Sequence, residues 1–349
     1  MEKLALAFAG IAPITTIFFP VKGRRRTLSI VLFSLATLAC LSAAPPELSS
    51  KWWYEPSQRV ALFHPVLLAG AVSSTCSCAS PRTSFWKGVF AGRVATFGLL
   101  LGLPMATWLS STGLPRQSAF SVFACITAVV GLSMLTGSKT GRPPRAQYGV
   151  LSIRITRELL LAILATVLQY AAMFAVFSNA YSYLVNQSAF DEPSAAFLMV
   201  VFGVGGVLGA TLGGRLLAGH SASTALAQPL VLALCYVLLF VLDHTPGVAM
   251  ATAVLLWGAT HNAGTVITRS FLVALAPRAQ EVANALHVSA GCAGVLLGVS
   301  LASVFMDSFG PMGVLLSGFA LTIASLAATA GQLTHVDVRT QIVARDSTD

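Results

Sequence analysis

Residues 313–331 read GVLLSGFALTIASLAATAG, an unbroken apolar stretch long enough to cross the hydrocarbon core of a bilayer as one helix. Stretches of this kind recur along the whole chain, so lipid is the solvent against which it folds. In lipid every backbone N–H and C=O must pair within the protein, which leaves helices or closed barrels. Barrel strands are short and alternate apolar with polar residues. These runs do not alternate, and the sequence predicts an all-α integral membrane protein. Composition agrees: 9% of the 349 residues are charged, against roughly 25% in soluble domains. The mean hydropathy is +0.79.

Stretches of about 17–25 residues suit a spanning helix. They are predicted near 4–20, 27–44, 60–80, 88–110, 117–137, 158–185, 194–218, 223–242, 247–273, 282–306 and 311–333, about eleven in all. Loop charges test that count, because cytoplasmic loops collect Lys and Arg. Alternate connections carry Lys22, Arg24, Arg25 and Arg26; Arg82 and Lys87; Lys139, Arg142, Arg145, Arg154 and Arg157; Arg215; Arg278; Arg339 and Arg345. The intervening ones carry Lys3, Lys51, Arg59 and Arg116, together with Asp191, Glu192, Asp243 and Asp307. This places the C-terminus in the cytoplasm and Met1 on the outer side. The net charge of +9 is thereby a topology signal, and no nucleic-acid partner is expected. The basic cluster follows the first apolar run, so that run reads as a retained span and not as a signal peptide. The six cysteines lie mostly inside apolar runs and indicate no disulfide framework.

The basic connection SKTGRPPRAQYGVLSIRITR separates five spans from six. The expected organisation is an N-terminal helical bundle over 1–137, a cytoplasmic linker over 138–157, a six-helix bundle over 158–335 and a cytoplasmic tail over 336–349. Transporters are often built from two related halves, and five plus six suggests a six-plus-six plan without its first span.

Several spans carry polar faces. Tyr170, Phe174, Phe177 and Tyr181 recur at helical spacing as an aromatic stripe flanked by Gln169 and Asn179. Packing or lipid contact explains such aromatics on their own, but a buried amide needs a partner or water, which a substrate cavity would supply. Gly258, His261, Asn262, Thr265 and Thr268 share one face, with Arg269 near its end. Asn284, His287, Gly291, Gly294 and Gly298 share another. Each histidine has two readings: an interhelical hydrogen bond, or a proton carrier lining a pathway. Gly205, Gly209 and Gly213, four residues apart, form a face that lets another helix backbone approach. Gly98, Gly102 and Pro104 thin and bend their span. Cys76 and Cys78 lack a second ligand pair for a metal, and no Walker A, HExxH or GxSxG string occurs, so no metal, no cofactor and no enzymatic activity are expected.

These stretches resemble the major facilitator superfamily, and within it the drug:proton antiporter and sugar-efflux branch. FGVGGVLGATLGGRLL resembles the family's glycine-rich helix ending in GGR. APRAQEVANALHVSAGCAGVLLG resembles its loop and eleventh helix, FFPVKGRRRTL its basic loop after the second helix, and GLLLGLPMATWL the Gly–Pro motif of its fifth helix. YSY at 181–183 is similar to an aromatic triplet ending the seventh. The match is best over 159–331 and poor over 45–90. On this alignment Met1 falls near the family's second helix, and the acidic partners of Arg215 and of the Lys22–Arg26 loop are missing.

The resemblance implies a multi-pass carrier of a bacterial inner membrane. It would export a small organic solute such as a drug-like amphiphile, sugar or nucleoside by alternating access, with the proton as coupling ion. The lipid bilayer and the small-molecule substrate are its expected partners. The expected cavity lining is Gln169, Tyr170, Phe174, Asn179, His261, Asn262, Asn284 and His287. Lys22, Arg24, Arg25, Arg26, Gly98, Gly102, Pro104, Gly205, Gly209, Gly213 and Arg215 are the expected gating motifs. No carboxylate lies in the middle of a span, so substrate contacts are expected to be aromatic and amphipathic. A truncated, transport-inactive relative is the alternative expectation.

Overall fold

The computed structural model describes residues 156–334, apart from 189, 246 and 277–279. The chain divides into two units near residues 149 and 150, and the described residues belong to the second. The five spans expected before residue 138, with the motif residues Lys22, Arg24, Arg25, Arg26, Gly98, Gly102 and Pro104, lie outside the described residues, as does the tail over 336–349.

The described residues form α1 (Arg157–Phe177), α2 (Ala180–Asn186), α3 (Glu192–Gly219), α4 (Ser221–Val241), α5 (Val248–Leu275), α6 (Gln280–Phe309) and α7 (Gly313–Leu333). A helix therefore stands at each of the six positions where the hydropathy pattern places a span after residue 157. The elements begin and end for local reasons. The Thr156 hydroxyl caps α1 by accepting from the Leu159 backbone N–H at 3.3 Å, and Glu158 sits in the first turn, where the helix dipole favours an acid. At its far end Ser178 Oγ donates to the Phe174 carbonyl at 2.7 Å, and the Asn179 amide to the Ala175 carbonyl at 3.3 Å. These side chains compete with the ladder and close α1, so the predicted 158–185 span is broken into α1 and α2. Asp191 precedes α3 and Pro193 enters its first turn, where the missing N–H costs nothing.

Among the described residues, four stretches are apolar and long enough to cross a membrane: Arg157–Asn186, Glu192–Gly219, Ser221–Val241 and Val282–Leu333, the last spanning most of α6 and all of α7. Helix α5 is not among them, because His261, Asn262 and its run of Thr and Gly dilute it. Its polar residues are covered instead by neighbouring helices: Thr260, His261 and Asn262 are all buried.

The bundle is apolar outside and keeps many of its polar side chains within an otherwise apolar interior. Leu208, Leu212 and Leu216 of α3, Leu230 and Leu234 of α4, and Leu316 and Ile323 of α7 are exposed. Thr166, Gln169, Gln228, Asn284, His287, Ser325 and Gln332 are buried. Water would penalise such an apolar surface; hydrocarbon does not. With no hydrophobic drive between helices in lipid, small residues bring them together. A Cβ on Gly205 would strike the Leu255 carbonyl of α5, one on Gly209 the Ala259 backbone, and one on Gly258 the Phe202 carbonyl of α3. A second seam joins α6 to α1: Cβ atoms on Gly294 and Gly298 would meet the Val167 and Ala171 carbonyls. Beside it Ala171, Ala172 and Ala175 of α1 pack with Ala302 of α6 and Leu321 of α7. Tyr236 of α4 closes the centre by donating to the Ala172 carbonyl at 2.8 Å.

Candidate functional site

The two glycine seams place α1 between α5 and α6, and the polar faces of all three meet there. From α6, His287 Nε2 lies 3.2 Å from the Tyr170 hydroxyl of α1, a hydrogen bond made within the bundle. Tyr170 stacks one turn along on Phe174, with ring centroids 6.0 Å apart and planes 8° apart. Phe174 meets His261 of α5 edge-on at 5.4 Å. Phe177 and Phe202 add further contacts to the same imidazole at 5.5 and 5.3 Å, and Trp257 backs Phe202 at 4.5 Å. The result is one row of rings, His287–Tyr170–Phe174–His261, crossing three helices.

Its chemistry is aromatic with a few uncharged polar points. His261 is 1% exposed and its Nδ1 has no hydrogen-bond partner; His287 Nδ1 is likewise buried without one. Such geometry presents ring faces and imidazole nitrogens, which suit the C–H faces and hydroxyl or ring groups of an amphipathic solute. Among the described residues no group of His, Cys, Asp and Glu is arranged to hold a metal ion.

The remaining expected lining residues scatter around that row. Asn262 is buried beside His261 and its amide donates to the Gly258 carbonyl at 3.4 Å. Asn284 lies one helical turn from His287 on α6 and accepts from Arg269 Nε at 2.9 Å. Asn179 spends its amide on the end of α1, donating to the Ala175 carbonyl and to Ser178 Oγ. Gln169 faces away from Tyr170, into the interior of the bundle, where Ser325 of α7 donates to its Oε1 at 2.7 Å. Gly205, Gly209 and Gly213 form the α3 face against α5, and Arg215 stands exposed beyond them.

Phe202, Trp257 and Ser325 were not singled out from the sequence. Trp257 stands one turn before His261 and Ser325 shares a helical face with Thr322, Thr329 and Gln332, spacings that could have marked them, whereas Phe202 sits in an apolar and glycine-rich run with no polar neighbour at helical spacing. A separate polar cluster closes the end of the bundle near α2. There Ser188 Oγ and Gln187 Nε2 both donate to the Asp243 carboxylate, the latter at 3.3 Å, and His244 Nε2 lies 3.7 Å from it.

Replacing Tyr170 by Phe keeps the stack and removes only the hydroxyl held by His287. Interhelical hydrogen bonds in membranes are worth about 0.6 kcal/mol on average and up to about 1.7. Tyr170→Phe is expected to destabilise the folded protein within that range, measured by thermal unfolding in detergent, and an unchanged midpoint would show that the bond contributes nothing.

No family model matches the chain. Over 222 residues it is 27% identical to a probable sugar efflux transporter of Helicobacter pylori strain G27, covering 62% of this chain and 55% of that one. Over 333 residues it is 27% identical to the inner membrane transport protein YdhP of Escherichia coli O157:H7, covering 91% and 82%. The chain spans 55% and 59% of the length of the Helicobacter pylori G27 and J99 relatives it matches. Among solved structures it is similar to the major facilitator superfamily transporter FucP in its outward conformation, with a TM-score of 0.62 at 13% identity over 92% of this chain and 86% of that one. The human organic anion transporter MFSD10 gives a TM-score of 0.62 at 16% identity, over 91% and 80%. These two likenesses bear on the fold. Together with the apolar helices and the glycine-mediated seams, they show that this chain shares the fold of major facilitator superfamily transporters.

Proposed function

We propose that the chain is a secondary active exporter of a small organic solute, sugar-like or amphiphilic, working by alternating access with proton antiport in a bacterial inner membrane. The observation that carries the reading is the row from His287 through Tyr170 and Phe174 to His261: aromatic faces and imidazoles held together inside a membrane bundle. A solute with hydroxyls and an apolar face finds both kinds of contact there, and a cationic one finds no carboxylate in these residues. Tyr170, Phe174, His261, Asn262, Asn284 and His287 are the lining assigned to the described half. The relatives named sugar efflux transporter and inner membrane transport protein support the direction and the membrane. The glycine seam between α3 and α5, ending in the exposed Arg215, is where these helices would slide or close during the cycle. The test reconstitutes the full chain into proteoliposomes and follows labelled sugars and amphiphiles together with internal pH. Solute movement coupled to counterflow of protons supports the reading. Folded protein that moves no solute across a broad panel overturns it and leaves a transport-inactive relative.

A further inference from the structure

A second polar place in the bundle lies against a different face of α1 from the one that carries the aromatic row. Between α1, α4, α5 and α7 is a small cavity of about 20 Å³, lined by Thr166 and Gln169 of α1, Gln228 of α4, Thr268 of α5 and Gln332 of α7, among others. It exists because Gly264 of α5 carries no side chain: a Cβ there would come to 2.7 Å from Gln228 Nε2 and 3.0 Å from Gln169 Nε2. Gln169 and Gln332 are 2% and 3% exposed, and the Nε2 atom of each is buried with no hydrogen-bond partner. An unsatisfied buried amide costs about 1–3 kcal/mol, so two such groups facing one cavity call for a common occupant.

The hydrogen bonds already made select that occupant. Ser325 donates to Gln169 Oε1 and so orients the amide with its N–H groups free. Gln228 spends Nε2 on the Thr260 carbonyl at 3.1 Å. Thr166 donates to the Ala162 carbonyl at 2.7 Å, and Thr268 to the Gly264 carbonyl at 2.9 Å. These two hydroxyls therefore have spent their protons on their own helices and offer lone pairs. The cavity presents two unspent donors and at least two acceptors. A halide would use the donors only and a metal cation the acceptors only, and either would bring a charge into a neutral lining at large desolvation cost. A water molecule uses both sets, accepting two hydrogen bonds and donating two. A volume of about 20 Å³ exceeds the roughly 10–15 Å³ that one water needs.

We propose that this cavity is a binding site for one resident water molecule, which accepts from Gln169 Nε2 and Gln332 Nε2, donates to Thr166 and Thr268, and so cross-links α1, α5 and α7. The site stands apart from the aromatic row and does not depend on the transport reading.

The test uses the full chain, purified in detergent. Thr166 and Gln332 share the cavity, and among the described hydrogen bonds none joins them, so any coupling between them passes through the occupant. Thr166→Val and Gln332→Met are each expected to lower the unfolding midpoint by about 2–4 °C. The double variant should fall by clearly less than the sum, because the water is lost with the first change. Thr166→Ser, which restores the acceptor, should recover the wild-type midpoint. A high-resolution map should show a peak within hydrogen-bonding distance of both Gln169 Nε2 and Gln332 Nε2, absent in Gln332→Met. Additive single effects, an empty cavity, or an anomalous peak at that position after exchange into bromide would each overturn the proposal.

Discussion

Gly209→Leu is expected to leave almost no folded protein in the membrane. A Cβ at this position falls against the Ala259 backbone of α5 and has no flexible side chain to push aside. Two helix backbones would have to separate, and the neighbouring contacts of Gly205 with Leu255 and of Gly258 with Phe202 would be lost with them. Overpacking a side chain against other side chains costs about 1–3 kcal/mol; against backbone along a whole seam the cost exceeds the upper end of that range. The measurement is the monodisperse fraction recovered in detergent and its unfolding midpoint. Gly214→Ala is the matched control, since a Cβ there meets nothing within 4 Å. A helix-interior glycine replaced without a clash gains about 0.5–1 kcal/mol, so this variant should be as stable as the parent or more so. If Gly209→Leu folds as well as Gly214→Ala, the α3–α5 seam does not hold the bundle.

The largest expected functional effect is at Phe174. Its ring stacks on Tyr170 and meets Phe177 and His261 edge-on, so it is the member that joins the two histidines of the row. Ring pairs contribute about 0.5–1.5 kcal/mol beyond area burial, and 1.4 kcal/mol is tenfold. Phe174→Leu keeps most of the volume while removing the ring faces. On the proposed function it should slow solute export about tenfold at equal amounts of folded protein, measured as initial rates in proteoliposomes. An unchanged rate would take the aromatic row out of the solute pathway.

Much of the described part of this protein was legible residue by residue. The GxxxG-like spacing of Gly205, Gly209 and Gly213 places three backbone openings on one face, because a helix repeats every 3.6 residues. The structure uses that face against α5. The spacing of Tyr170, Phe174 and Phe177 likewise announces a shared stripe, and the structure lines up those rings. Gln169 is the instructive exception. It is adjacent to Tyr170 in sequence, yet consecutive residues on a helix point about 100° apart, so Tyr170 reaches α6 while Gln169 reaches Ser325 on α7. Asn179 is a second case: its position beside the stripe says nothing of the helix end that consumes its amide.

By itself the sequence determined the solvent, the helices and which faces of those helices are small, aromatic or polar. Hydrocarbon requires every backbone hydrogen bond to be local, and local periodicity is what a sequence displays directly. Only the tertiary structure decided which polar faces meet. The Tyr170–His287 bond spans 117 positions and the Ser325–Gln169 bond 156, and no local pattern encodes a pairing at that separation. The cavity shared by Gln169, Gln332, Thr166 and Thr268 has the same origin. Its donors and acceptors come from three helices, and their match becomes visible only when Gly264 leaves the space between them.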